Sequence, residues 1–263
     1  MNKLVYAVLS LIAFASCAES TFESFYIKGS SSVATLDGSK LYLEIFSPDS
    51  LLSRDSCEVV HGEFNFTGRM DSAQSMGHLI LGESTMPIVI ERGDIVVNID
   101  RTGIKVSGSP LNELLYDYLD KQIQLINRGG ELGDRQARML LEGYDEKTIH
   151  TQLTAEAQQI EQQMDSLEVT FITHNFDNIL GPFAFNLLAQ NTISALGYPL
   201  ITDQMELIMI NAPETFKKHP FVASYCKAAD DFMARMKGDI TDEPADTAAD
   251  KPADGEATAP EQP

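Results

Sequence analysis

From Phe25 to Val106 apolar and polar positions alternate in short runs separated by turn residues. The runs FYIKGSS, SKLYLEIF, SCEVV, EFNFTGRM, GHLILGE, MPIVIERGD, IVVNIDR and GIKVSG are rich in β-branched and aromatic residues and are bounded by Gly, Ser, Asp and Pro. Strands of that length and spacing predict an antiparallel β-sandwich or barrel-like domain over 25–107. Within CEVVHGEFNFTGR, a two-residue turn at His61 and Gly62 predicts a hairpin, because Gly supplies the positive φ that such a turn needs. Pairing then sets Val59 opposite Phe64 and Cys57 opposite Phe66 on one buried face. Glu58, Val60, Glu63 and Asn65 fall on the other face.

At SGSPLNELLYDYLDKQIQLI the apolar period changes from two to 3.6. Ser109 suits an N-cap and Pro110 a first helical position, and Leu111, Leu114, Leu115, Tyr118 and Leu119 form a stripe. The same spacing recurs at Ile160, Met164, Leu167 and Phe171, and again at Phe221, Tyr225, Cys226, Ala229, Phe232 and Met236. The expectation is an α-helical module over 109–237, interrupted at NRGGELGD and at GYP. The fold class is therefore α+β, with a β domain followed by helices. Helix packing accounts for these stripes, methionines included.

The ends of the chain add a location. MNKLVYAVLSLIAFASCAES has Lys3, an apolar run from Leu4 to Phe14 and small residues before Cys17, the pattern of a secretory signal too short to be a spanning helix. FASC resembles a bacterial lipobox, departing from the usual pattern at Phe14. The expectation is a lipoprotein signal peptide over 1–17, lipidation of Cys17, a tether over 18–24, and attachment to the cell envelope, at the outer membrane, through lipid alone. At the other end, residues 238–263 are dominated by Ala, Pro, Asp, Glu, Thr and Gly without apolar periodicity, and disorder is expected there. The net charge of −20 excludes nucleic acid as a partner, because no Lys/Arg cluster is available to displace phosphate counterions.

With the elements placed, FYIKGS, KLYLEIF, DSCEVVHGEFNFTGRM, PIVIERGDIVVNID and VSGSPLNELLYDYL together resemble the DUF4369 family over roughly Phe25 to Gln122. These are β-rich N-terminal domains of secreted lipoproteins in Bacteroidetes. Many relatives continue through a helical segment similar to FITHNFDNILGPFAFNLLA into a thioredoxin-like domain with a reactive Cys-x-x-Cys. This chain contains no Cys-x-x-Cys, and its cysteines besides Cys17 are Cys57 and Cys226. Disulfide exchange needs a low-pKa thiolate and a resolving thiol, so the family's redox activity is not carried over.

The remaining candidate chemistry is sparse. His61, His78, His150, His174 and His219 lack metal-ligand spacing, and no cofactor is expected. GSSS from Gly29 has the composition of a loop. Asp71-Ser72-Ala73 and Asp246-Thr247-Ala248 resemble O-glycosylation acceptors of exported proteins in that lineage. Cys57 and Cys226 both fall on apolar faces in an oxidising compartment. They are read as two buried thiols acting as small hydrophobes, with a disulfide between them as the alternative. The functional expectation is a non-catalytic envelope lipoprotein that binds an unknown envelope protein or ligand. The alternative is an accessory or degenerate member of the thiol-disulfide oxidoreductase group.

Overall fold

The computed structural model describes residues 23–46, 53–70, 72–101 and 103–238. The signal peptide with Cys17, most of the tether, the acidic tail from residue 239 and the Thr247 motif lie outside the described residues. Strands β1 (Glu23–Ser31), β2 (Lys40–Ile45), β3 (Ser53–Glu58), β4 (Glu63–Met70), β5 (Gln74–Leu81), β6 (Ser84–Glu91), β7 (Gly93–Asp100) and β8 (Gly103–Ser107) follow in order. They form two four-stranded sheets, β4-β1-β7-β8 and β3-β2-β5-β6, stacked as a sandwich and not closed into a barrel. The ladder between β1 and β7 is parallel and the others are antiparallel, so the sandwich is antiparallel-rich, as expected, with one parallel pair. The chain leaves β1, builds part of the second sheet, and returns to lay β7 beside β1 in the same direction. β1 also begins at Glu23, inside the stretch expected to be tether.

Alternation along the strands fills the interior with Phe25, Ile27, Leu41, Leu43, Phe64, Phe66, Ile88, Ile95 and Val97, all nearly inaccessible. Two cross-strand pairs set Gly against Phe: Gly29 opposite Phe64 and Gly68 opposite Phe25. A Cβ on Gly29 would lie 2.0 Å from the Phe64 ring, and one on Gly68 would lie 2.6 Å from the Phe25 ring. The glycines thus make room for aromatic rings that lie across the facing strand. Gly29 to Ser31, read from composition as loop, is therefore the packed end of β1.

The His61-Gly62 turn forms, with both residues at positive φ (54° and 75°) and reciprocal hydrogen bonds between Val60 and Glu63 at 2.9 and 3.0 Å. The ladder stops there, however, and does not continue as the expected hairpin. β3 pairs with β2 in one sheet while β4 pairs with β1 in the other. Ser31 N–H donates to Gly62 C=O at 2.7 Å and Gly38 N–H donates to Val59 C=O at 2.8 Å, so the turn is a corner bound to both sheets. Val59, Phe64 and Phe66 still point into the sandwich, and Cys57 lies half-buried at its margin.

Among the described residues six α-helices follow: α1 (Pro110–Leu141), α2 (Glu146–His174), α3 (Leu180–Leu196), α4 (Asp203–Asn211), α5 (Glu214–Lys217) and α6 (Pro220–Lys237). The expected break at NRGGELGD does not occur; Gly129, Gly130 and Gly133 all lie within α1, and the chain turns at Gly143 (φ 86°) instead. Leu125, Leu132 and Met139 face α2 through a regular apolar seam, and that contact outweighs the poor helix propensity of glycine. The expected break at GYP is present, with Gly197 in the left-handed region ending α3. Two stripe assignments need correction: Leu114 and Met236 are exposed, and Val222, outside the expected stripe, is fully buried on α6 beside Tyr225 and Ala229.

α1 is fastened to the free edge of β6. Val89 N–H donates to Asn112 Oδ1 (2.9 Å), and Asn112 Nδ2 donates to Val89 C=O and to Ser109 Oγ (2.7 Å each). One turn later the Tyr116 hydroxyl donates to Pro87 C=O at 3.1 Å, and Leu111 N–H, an orphan donor of the helix start, reaches Glu91 Oε1 at 3.0 Å. The helix thereby supplies the hydrogen bonds that a further strand would supply, covering an edge otherwise open to pairing. Met76 and Val89, on the outer face of that sheet, pack with Leu111, Leu115, Leu180 and Phe183 and join the sandwich to the helices.

Candidate functional site

Where sandwich and helices meet, the β4–β5 turn, the α2–α3 linker and the α5–α6 corner border an open, shallow cleft of about 550 Å³. Ser72, Ala73 and Gln74 line it from the sandwich, and Phe176 to Ile179, Pro182, Thr215, Phe216 and His219 from the helices. Its floor is aromatic: Phe176 and Phe216 meet edge-on with centroids 4.7 Å apart, and Phe216 is buried in the helical core. The walls are held by local hydrogen bonds. Ile179 N–H donates to Gln74 Oε1 at 3.1 Å, and Asn178 both donates to Asn175 Oδ1 (2.9 Å) and accepts from Leu180 N–H (2.9 Å).

Ser72, His219 and Asp177 share this lining but do not form a nucleophilic relay. His219 Nδ1 accepts from Phe221 N–H at 3.3 Å to cap α6, so that nitrogen has no proton to offer a carboxylate. Burial lowers the His219 pKa, which keeps the ring in the neutral form the cap requires. The Ser72 hydroxyl donates to Gln74 C=O at 2.8 Å. The cleft presents a hydrophobic floor and a polar rim in which Asp177 is the carboxylate, and its chemistry is that of holding a partly apolar group.

Sequence reading missed this cleft, because its lining comes from three separated connections whose proximity is set by packing. The signal that was visible, FITHNFDNILGPFAF, is the α2–α3 passage that supplies half of the wall. Of the motif and histidine residues singled out from sequence, Ser72, Ala73 and His219 come together here. His61 occupies the corner turn, and His78 packs edge-on to Phe46 at 4.9 Å with its pKa lowered by burial. His150 and His174 sit near opposite ends of α2. Among the described residues no group of three or more His, Cys, Asp or Glu is placed to hold a metal ion.

Cys57 packs against the sandwich core and Cys226 against the helical core, both half-buried rather than fully buried as expected, and both thiols are free. Burial raises the pKa of each; a neighbouring carboxylate, Asp55 for Cys57 and Asp230 for Cys226, adds to the rise. Neither environment favours an attacking thiolate.

Residues 25–115 match the model of DUF4369, a domain of unknown function. This stretch is a DUF4369 domain. Comparison with curated proteins finds no match, and comparison with solved structures finds none. The DUF4369 match runs past the last strand to Leu115, so it includes Ser109, Asn112 and the first turns of α1. The helix start that covers the β6 edge is thus part of the DUF4369 domain.

Proposed function

We propose that this protein is a lipid-anchored cell-envelope protein that serves as a non-catalytic binding module. The observation that carries this reading is the cleft, which the DUF4369 domain and the helices build jointly at the end of the sandwich where β1 enters. Glu23 pairs with Met70, two residues before Ser72 of the cleft wall. A tether ending at β1 therefore delivers that end of the molecule toward its anchor. The signal-like N-terminus with Cys17, and the resemblance to secreted lipoproteins of Bacteroidetes, support an outer-membrane location. The raised thiols of Cys57 and Cys226 work against either one attacking a disulfide, which sets the accessory redox reading second.

Fractionation with an activity control tests both halves of the proposal. Cys17→Ala is expected to move the protein from the membrane pellet to the soluble fraction, since no helix among the described residues is long and apolar enough to span a bilayer. Retention after a high-salt wash would put the anchor elsewhere. The purified protein is expected not to reduce insulin. Catalytic turnover abolished by Cys57→Ala would replace the binding reading with the redox one.

A further inference from the structure

Along α1 a line of side chains spaced alternately four and three residues apart begins at Asn112, Tyr116 and Leu119, which dock on β6 and the cluster beneath α3. The same line continues as Ile123, Ile126, Gly130, Gly133, Ala137 and Leu140, and every one of these is exposed. Ile123 is 53% accessible, Ile126 63% and Leu140 51%, so three large apolar groups stand in solvent on one face. The face is distinct from the neighbouring seam of Leu125, Leu132 and Met139 that packs on α2. A Cβ built on Gly130 or Gly133 meets nothing within 4 Å, so no contact inside the molecule requires glycine there. Each helical glycine nevertheless costs about 1 kcal/mol relative to alanine.

We propose that this face of α1 pairs with the same face of a second copy, the two helices running antiparallel about a two-fold axis between Gly130 and Gly133. Three properties select a second copy as the occupant. First, the face continues a docked apolar line and carries no charged residue along its exposed length. Second, the two-fold axis sets Ile126 opposite Ala137, Ile123 opposite Leu140 and Gly130 opposite Gly133, so bulk meets a small residue at the inner positions and backbones approach closely at the centre. Third, residues 121–144 hold four Lys and Arg against three Asp and Glu, while the whole chain carries −20. Two copies of a strongly acidic chain meet little net repulsion along this segment. The exposed line is about 27 Å long. A strip of that length and about 10 Å wide is small in projection beside the roughly 800 Å² per partner of a standard interface, so the pairing is weak and concentration-dependent.

Sedimentation of the intact protein across a concentration series from about 1 to 300 μM tests the proposal, bracketing the micromolar affinities of small interfaces. Self-association is expected, with Ile126→Glu raising the dissociation constant about tenfold or more, and Gln124→Glu, which adds the same charge beside the face, leaving it within about twofold. Both positions are exposed, so neither variant is expected to lose its fold, which circular dichroism checks. In a background of Cys57→Ala and Cys226→Ala, with an added thiol oxidant such as diamide to take up the two electrons and two protons, the pair Ile126→Cys with Ala137→Cys is expected to form an intermolecular disulfide, while Ile126→Cys alone is not. A protein that stays monomeric throughout the series, or associates equally well with Ile126→Glu, would overturn the proposal and leave the face to a different protein. A disulfide from Ile126→Cys alone would overturn the antiparallel arrangement.

Discussion

Glu168 on α2 is a charged residue buried in the helical core, and its surroundings show how a single carboxyl is accommodated there. Gln204 Nε2 donates to Oε2 at 2.8 Å, and Gln122 Nε2 reaches Oε1 at 3.3 Å and the Tyr118 hydroxyl at 2.8 Å. Tyr118 in turn stacks on Phe171 with centroids 4.0 Å apart. Burial raises the Glu168 pKa, and the two amide donors offset that rise only in part. A carboxyl whose folded pKa exceeds its unfolded value holds its proton more tightly when folded. Its contribution is therefore fully present below the unfolded pKa near 4.5 and is lost as pH rises through the folded value. Glu168→Gln is expected to be close to wild type in stability at pH 4 and more stable at pH 7, measured by denaturant titration at both pH values. Equal differences at the two pH values would mean that Glu168 is not held against ionisation. Sequence periodicity placed residues 164, 167 and 171 on the buried face but gave no sign that Glu168 lies inward with them; that depends on Gln204 arriving from α4.

At the level of elements, the contact between α1 and β6 joins the two halves of the molecule. Asn112 is fully buried with its amide engaged by Val89 and Ser109, so Asn112→Ala removes three hydrogen bonds and leaves Val89 N–H and C=O unpartnered in an apolar setting. The expected loss is about 2–4 kcal/mol of unfolding free energy, read from chemical denaturation. A loss below about 0.5 kcal/mol would show that water replaces the amide at the β6 edge, and that the helix does not cover it. All eight strands and the helix entry at Ser109-Pro110 were legible, because period-two alternation and a proline at the first helical position are local signals; Ser109 holds the N-cap position, but its hydroxyl accepts from Asn112 and caps no backbone N–H. The corner at His61-Gly62 was half legible: the glycine announced the turn, but the switch of sheets depends on Ser31 and Gly38 meeting the turn from other strands. The helical glycines at 129, 130 and 133 misled, since a seam against α2 decides their conformation. The Tyr116 hydroxyl, pushed up to about 12 by burial and by Asp120, keeps its proton for Pro87 across the physiological range.

At the scale of the whole molecule, the described residues form a sandwich and a helical core joined by a third cluster between them, with the proposed binding cleft near the start of β1 and the proposed pairing face on α1. The order of β domain and helices was readable from the change of period at Ser109, whereas the cleft was not, because none of its walls is a motif. The central claim is that this cleft holds a partner from the cell envelope. Site-specific photocrosslinking in living cells tests it most directly, with a photoreactive side chain at exposed Thr215 in the cleft and, for comparison, at exposed Lys105 on β8. The expected result is a discrete adduct from Thr215, of a mass different from that of a self-dimer, and none from Lys105. Equal labelling from both positions, or no adduct from Thr215, would contradict the account.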